Sequence, residues 1–294
     1  MKFENKINPL VSIIMNCHNG EEYLENSLNT VLQQSYSNYE LIFFDNHSND
    51  CSAKIFKRFQ NNKFKYYSTN SKVKLYDARN LALQYCKGEI ITFLDTDDLW
   101  KTNKLEVQVS SMLKENNIGV AYSYYEIYDN NKKKIKLKKP KSASDITNHL
   151  LKDYDIALVS IAIRAELLKI KNIRFNSNYN IIGDFDMILK LSLLSKFQLI
   201  KQNLCIYRVH SQSETSTKYD QLILEMKSWY KENSNKELSQ KKNYSLIKDK
   251  IIYFECHQFL KNKNYNKFFH NFFKFKRKTL FIKIFIKFLV NRLK

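Results

Sequence analysis

The chain has 294 residues, 44% of them hydrophobic, and carries 49 Lys and Arg against 29 Asp and Glu for a formal net charge of +20. That length and apolar content allow one main domain with an appendage. Glycine occurs only at Gly20, Gly88, Gly119 and Gly183, which excludes the G-x-G-x-x-G dinucleotide turn and the Walker A loop, and five scattered cysteines without a C-x-x-C pair give neither a disulfide framework nor a zinc site.

Val11 to Met15 and Tyr39 to Phe44 are short runs of β-branched and aromatic residues, as buried parallel strands require. Between them Tyr23, Leu24, Leu28, Val31 and Leu32 recur at helical spacing, and Asn19 followed by Glu22 predicts a helix-capping pair. A capped helix from Asp50 to Phe59, a strand near Phe64 to Tyr67, a helix from Leu75 to Tyr85 and a strand ending at Asp95 continue the alternation. This order predicts an α/β domain with a largely parallel sheet.

Ligands of such sheets bind beyond the carboxyl ends of the strands. Three polar clusters fall there: Asn16, His18 and Asn19; then Asp45, Asn46, His47, Ser48, Asn49 and Asp50; then Asp95, Thr96, Asp97 and Asp98. Each is also ordinary turn chemistry. Carboxylates as crowded as Asp95, Asp97 and Asp98 repel one another unless a cation sits among them, and hard oxygen ligands suit Mg²⁺ or Mn²⁺ completed by water and phosphate. The bland alternative is that these aspartates end a strand and cap the next helix.

With these residues in place the chain resembles the family 2 glycosyltransferases, inverting enzymes of the GT-A fold that use nucleotide-diphosphate sugars. The likeness rests on Pro9 to Leu24, Asp45 to Asp50, Ala78 to Ala82 and Phe93 to Trp100, and runs more loosely to about Thr215. It implies that Asp95 and Asp97 are the Asp-x-Asp pair, that Asp97 is the direct ligand of Mn²⁺ or Mg²⁺, and that Asp98 neighbours the donor sugar or metal water. Arg79 matches an arginine near the donor, and a guanidinium suits a diphosphate. Asn16, His18, Asn19, Asp45, Asn46 and Thr96 fall on the nucleotide side. His18 stands where the family often has a tyrosine, and Asn46 where it often has the aspartate that reads uracil. The resemblance implies a UDP-sugar donor and a glycan or lipid-linked glycan acceptor.

Asn180 to Leu194 reads as a helix with two carboxylates in its first turn and resembles the family's Glu-Asp-x-Asp-Leu segment. By that match Asp184 is the catalytic base, with helix capping as the competing role, and Gly183 replaces an acidic residue. Leu204 to Ser216 resembles the strand and loop that close the donor site, where His210 would ligate the metal or touch the diphosphate and Arg208 would support it. Asn131 to Pro140 reads as a solvated basic hairpin or loop and receives no chemistry.

From Lys218 the composition turns helical, aromatic and basic. Lys261 to Lys294 holds eleven positive charges and no acid, interleaved with phenylalanines. An anionic membrane surface suits such a segment, as does a helical subdomain or a homodimer contact. The expected organisation is a catalytic domain over 1–217, with its nucleotide part near 1–100 and its acceptor part near 101–217, and a helical region over 218–294. No run approaches the roughly 18 apolar residues of a membrane span, and the expected location is cytoplasmic and peripheral on the inner face of the membrane. Two alternatives are weighed. A sugar nucleotidyltransferase would place a glycine-rich basic loop after the first strand, which Asn16 to Glu21 is not, and a basic nucleic-acid-binding protein would not set three carboxylates at its sheet end.

Overall fold

The computed structural model describes residues 3, 4, 6–211 and 218–292. Among these residues nine strands form one mixed sheet in the order β3 (Phe64–Ser68), β2 (Tyr39–Asp45), β1 (Val11–Cys17), β4 (Ile90–Phe93), β8 (Ile161–Arg164), β6 (Ile118–Asp129), β9 (Lys196–Val209) and β5 (Leu99–Trp100), with β7 (Lys134–Lys138) paired to β6. Strands β1 (Val11–Cys17), β2 (Tyr39–Asp45), β3 (Phe64–Ser68) and β4 (Ile90–Phe93) are parallel, and every residue of β1 and β2 is buried. Burial on both faces is why these strands read as continuous apolar runs. Helices α1 (Glu21–Leu32), α2 (Ser52–Arg58) and α3 (Leu75–Gln84) make the crossovers.

The second half of the sheet is mixed. β8 (Ile161–Arg164) lies antiparallel to both β4 and β6 (Ile118–Asp129), while β9 (Lys196–Val209) runs parallel to β6 with register irregularities. The two-residue β5 (Leu99–Trp100) pairs with β9. Asp95 to Asp98 therefore lead into a strand, and α4 begins only at Lys104 (Lys104–Leu113). Helix capping does not explain the carboxylate cluster. The Lys-rich stretch forms β7 (Lys134–Lys138), the outer strand of a hairpin with β6.

The expected Asn19–Glu22 cap is not formed. Gly20 is the N-cap residue of α1, and Asn19 takes a left-handed backbone (φ 56°) with its Oδ1 accepting from the Asn49 amide. The loop after β2 competes successfully for that side chain.

The chain divides into two compact units, residues 1–144 with 155–210, and residues 145–154 with 211–294. In the second, the helix Ile146–Lys152 joins Tyr219–Glu232, Leu246–Lys261, Tyr265–Phe272 and Lys278–Arg292. Phe268, Phe272, Ile284, Phe288, Cys256 and Leu260 form its buried cluster. Phe273, Ile282, Phe285 and Ile286 are exposed. The aromatic sequence thus serves both as a core and as a surface. Among the described residues no helix is long and apolar enough to cross a membrane.

Candidate active site

Parallel register brings the three polar clusters to one end of the sheet, since Cys17 lies beside Asp45 and Ile14 beside Phe93. The loops there bind one another. Asp45 accepts from the Ser48 amide and from the Tyr66 hydroxyl, and His18 Nδ1 donates to the Asn46 carbonyl at 2.9 Å. Asn46 itself is held by the chain: its Nδ2 donates to the Val73 carbonyl at 2.8 Å and its Oδ1 accepts from the Val73 amide at 2.9 Å. An amide gripped in this way fixes the 69–73 segment. Asn16 is the contrast, because both of its side-chain amide atoms are buried without a hydrogen-bond partner.

The carboxylate turn is fastened from three sides. The Ser27 hydroxyl reaches the carbonyls of Thr96 and Asp98, and a Cβ placed on Gly20 would lie 2.9 Å from Thr96 Oγ1, so only glycine permits that approach. Arg79 is buried and donates to both Asp95 oxygens at 2.8 Å. Burial works against the Arg79 charge, and Asp95 more than offsets it, so the guanidinium is held even more firmly protonated than usual.

Asp97 Oδ2 lies 3.0 Å from His210 Nε2. Arg208 donates from Nε to the Asp97 carbonyl and from its backbone amide to Asp98 Oδ1, and its guanidinium lies 4.8 Å from the centre of the Tyr23 ring. Burial, with Asp95 next to it, raises the Asp97 carboxyl, while His210 counteracts. Asp98 is pushed well above the ordinary range by burial and by Asp97 and Asp95, against the opposing Arg208 amide. A turn that holds carboxylates at this disadvantage favours a cation.

The donor set fits a hard divalent ion. Asp97 and His210 offer an oxygen and an imidazole nitrogen side by side, and such ions accept water and phosphate in their remaining positions. Asp95, expected among the ligands, is instead engaged by Arg79, and among the described residues no three His, Cys, Asp or Glu side chains group around one metal position. Gln212 to Ser216, the end of the expected donor-closing loop, lie outside the described residues.

Asp184 sits in the first turn of the helix Gly183–Leu194, whose N-cap residue is Ile182 with no side-chain cap bond. The N-cap position is thus held by Ile182, and Asp184 is the second residue of the helix. The second carboxylate, Asp186, is buried and pairs with Lys190 at 2.6 Å. Tyr76, from α3, places its hydroxyl 3.3 Å from Asp184 Oδ1 and 3.2 Å from the Ile181 carbonyl. The Arg79 guanidinium lies over the ring of the same tyrosine at 5.4 Å. Tyr76 thus joins Asp184 to the Arg79–Asp95 pair. It stands three residues before Arg79 on one helix face, a signal present in the sequence but not singled out there. Tyr207 is a second residue not singled out there: it precedes Arg208 on β9, and burial, then the charges of Asp98, Asp97, Asp95 and Asp184, raise its phenol.

The sequence profile of Glycosyl transferase family 2 matches residues 12–188, more than half of the chain. The chain belongs to glycosyltransferase family 2. Among the curated members of that family, UDP-Glc:alpha-D-GlcNAc-diphosphoundecaprenol beta-1,3-glucosyltransferase WfgD of Escherichia coli is 35% identical over 217 residues, covering 72% of this chain and 82% of WfgD. An uncharacterized glycosyltransferase of Haemophilus influenzae is 30% identical over 228 residues, 76% of this chain and 88% of the relative. The fold matches S. aureus TarS in complex with UDP-GlcNAc, with a TM-score of 0.65 at 18% identity over 85% of this chain and 72% of that one. A mannosyltransferase of Pyrobaculum calidifontis in complex with GDP-Man and Mn²⁺ matches with a TM-score of 0.61 at 15% identity, over 84% and 72% of the two chains. The protein is a family 2 glycosyltransferase of GT-A fold, as the sequence motifs implied.

Within this family 2 enzyme, Gly183 and Tyr76 are mutually dependent. A Cβ at residue 183 would lie 2.5 Å from the Tyr76 ring, so the acidic residue that the resembling motif carries cannot be added here. Gly183→Glu is expected to lose about 1–3 kcal/mol of stability by overpacking and to displace Asp184. Because Tyr76 is buried and its truncation is costly in itself, the test is the coupling in urea unfolding: Tyr76→Ala should cost less in the Gly183→Glu background than in the native one. Additive costs would show that the ring is not the obstacle.

Proposed function

We propose that this glycosyltransferase is metal-dependent and inverting, and that it moves a hexose or N-acetylhexosamine from a UDP-sugar to a hydroxyl of a growing bacterial surface glycan carried on lipid. The observation that supports this most is the link through Tyr76, which ties the acceptor-side carboxylate Asp184 to the donor-side pair Arg79–Asp95. Inversion needs a base on the face opposite the leaving diphosphate, and Asp184 takes the proton from the acceptor hydroxyl as that oxygen attacks the anomeric carbon. Tyr76 orients the base. Arg79 keeps Asp95 fixed, while Arg208 and the Asp98 carboxylate hold the turn that presents Asp97. Asp97 and His210 would hold Mn²⁺ or Mg²⁺, which when bound offsets charge developing on the diphosphate.

The donor assignment agrees with the names of WfgD and of WfaP, a second E. coli relative 31% identical over 219 residues, both of which are UDP-Glc enzymes. Their named acceptor is a diphosphoundecaprenol-linked GlcNAc, and a lipid-borne acceptor accords with the exposed Phe273, Ile282, Phe285 and Ile286 beside the basic residues of the C-terminal region. Residues 1–217 carry catalysis in this reading, and 218–294 bring the enzyme to the inner face of the membrane.

Thermal shifts test the donor and metal assignments together. UDP should stabilise the protein more in Mn²⁺ than in chelator, and more than GDP does in the same buffer. In the His210→Ala variant the Mn²⁺-dependent part should disappear while a small metal-independent shift remains. A shift by UDP that is indifferent to Mn²⁺ would remove the metal from the mechanism.

A further inference from the structure

The β6–β7 hairpin carries a surface that the transfer reaction does not use. Residues 130–144 contain seven lysines and no acid. The acids nearest to them on β6 are already matched, Asp129 by Lys132 and Glu126 by Lys101. Lysine on an outer strand ordinarily guards against edge-to-edge pairing. That role does not explain Ile135 and Leu137, which lie between the lysines and are 63% and 43% exposed.

Alternation sorts β7 into two faces, Lys134, Lys136 and Lys138 on one, Ile135 and Leu137 on the other. Antiparallel register puts Ile135 opposite Tyr128 and Leu137 opposite Glu126, and directly opposed residues share a face. Tyr128 is the ring that lies 5.6 Å from the Arg208 guanidinium, and β6 pairs Tyr128 with Arg208 on its other side. The face that carries Ile135 and Leu137 thus also carries Glu126 and Tyr128, and through Tyr128 it adjoins Arg208. At the hairpin turn Lys133 adopts a left-handed backbone (φ 50°), a conformation that glycine or asparagine adopts at lower cost.

We propose that this hairpin is a docking arm for an anionic phospholipid bilayer, with Ile135 and Leu137 entering the headgroup boundary and the lysines meeting lipid phosphates. An outer strand with exposed aliphatic side chains on one face and long cationic ones on the other matches that interface when it lies edge-on, because the lysines are long enough to keep their ammonium groups with the phosphates while Ile135 and Leu137 meet the apolar zone. The arm lies within the catalytic unit and would set the sheet end that holds His210 close to the leaflet from which a lipid-borne hydroxyl must be presented. It rests on the lipid-acceptor reading for its purpose, though its test does not use an acceptor.

The full-length Ile135→Trp variant reports on the arm itself, since the native Trp100 and Trp229 are buried. Vesicles of phosphatidylglycerol should shift its emission to the blue, and brominated chains should quench it, whereas vesicles of phosphatidylcholine should leave it unchanged. Neutralising Lys134, Lys136 and Lys138 together with glutamine should weaken vesicle partitioning roughly a hundred-fold, at about five-fold for each lysine. Stabilisation by UDP should be unaffected in all of these variants. If the Ile135→Trp protein sediments with anionic vesicles while the emission of its introduced indole stays fixed, binding belongs to the C-terminal region and the arm is refuted, with the lipid-acceptor reading intact. An equal blue shift with soluble polyphosphate would also overturn the proposal, since it would mark a general polyanion site.

Discussion

Exchanging Asp184 for asparagine is expected to reduce sugar transfer by about 10²–10⁴-fold, the range in which a positioned general base contributes, with the UDP-induced thermal shift unchanged. Asparagine keeps the shape of the side chain and an oxygen that can still accept from the Tyr76 hydroxyl, now 3.3 Å from Asp184 Oδ1. It cannot take up a proton. The start of the helix Gly183–Leu194 should remain in place because it is set by other contacts: Gly183 packs on the Tyr76 ring, and Asp186 is buried against Lys190. The Arg79–Asp95 pair and the Asp97–His210 pair on the donor side do not involve the altered group. Transfer measured with a saturating donor, beside UDP binding by calorimetry, separates the outcomes. A parallel loss of both would mean that Asp184 holds the site together and does no chemistry. The same measurement on Asp186→Asn provides a contrast, because that carboxylate is 3% exposed and ion-paired, so its loss should lower stability more than it lowers turnover.

The legibility of this site in the sequence follows the range of its interactions. Val11–Cys17 and Tyr39–Asp45 could be read because a strand buried on both faces must be apolar throughout, and the polar residues that follow such strands must then gather at one sheet end. The motifs from Pro9 to Trp100 implied the family and the fold, and both are shown by the comparisons. Contacts between distant segments were another matter. The fixing of Asn46 depends on Val73, whose amide and carbonyl reach it from 27 positions along the chain, and the partner of Asp184 lies 108 positions away in Tyr76. No local pattern encodes either distance. Asn19 shows the opposite failure. Its spacing to Glu22 satisfied a local rule, and the loop at Ser48 and Asn49 overrode it. The glycine at position 183, visible only as a departure from the family pattern, acquires its reason from the ring that occupies the missing side chain's space.

Lys104 should make the stability of this protein rise with pH between about 7 and 10.5. It is fully buried at the start of α4, just beyond the carboxylate turn, with Nζ 2.6 Å from Gln108 Oε1, 3.1 Å from Thr92 Oγ1 and 4.0 Å from the centre of the Trp100 ring. No carboxylate is among these partners. Burial therefore lowers its pKa from 10.5 to about 7. Above 10.5 the amine is neutral whether the chain is folded or unfolded, and folding carries no penalty from it. Between 10.5 and about 7 the unfolded chain binds a proton that the folded chain does not, so stability falls by about 1.4 kcal/mol for each unit of decreasing pH. Below about 7 both states are protonated, and the accumulated loss levels off near 5 kcal/mol, to order of magnitude. Lys104→Met removes this dependence while leaving two acceptors without their donor, at about 1–3 kcal/mol each. The variant should then be clearly weaker than the native protein at pH 10 and close to it, or stronger, at pH 7. Urea unfolding of the two proteins at pH 7, 8 and 9 isolates the effect, since every other titrating group is common to both. A constant difference across that range would mean that the ammonium keeps its proton inside the fold, and that the hydroxyl, amide and indole around it are enough to hold a charge beneath the active site.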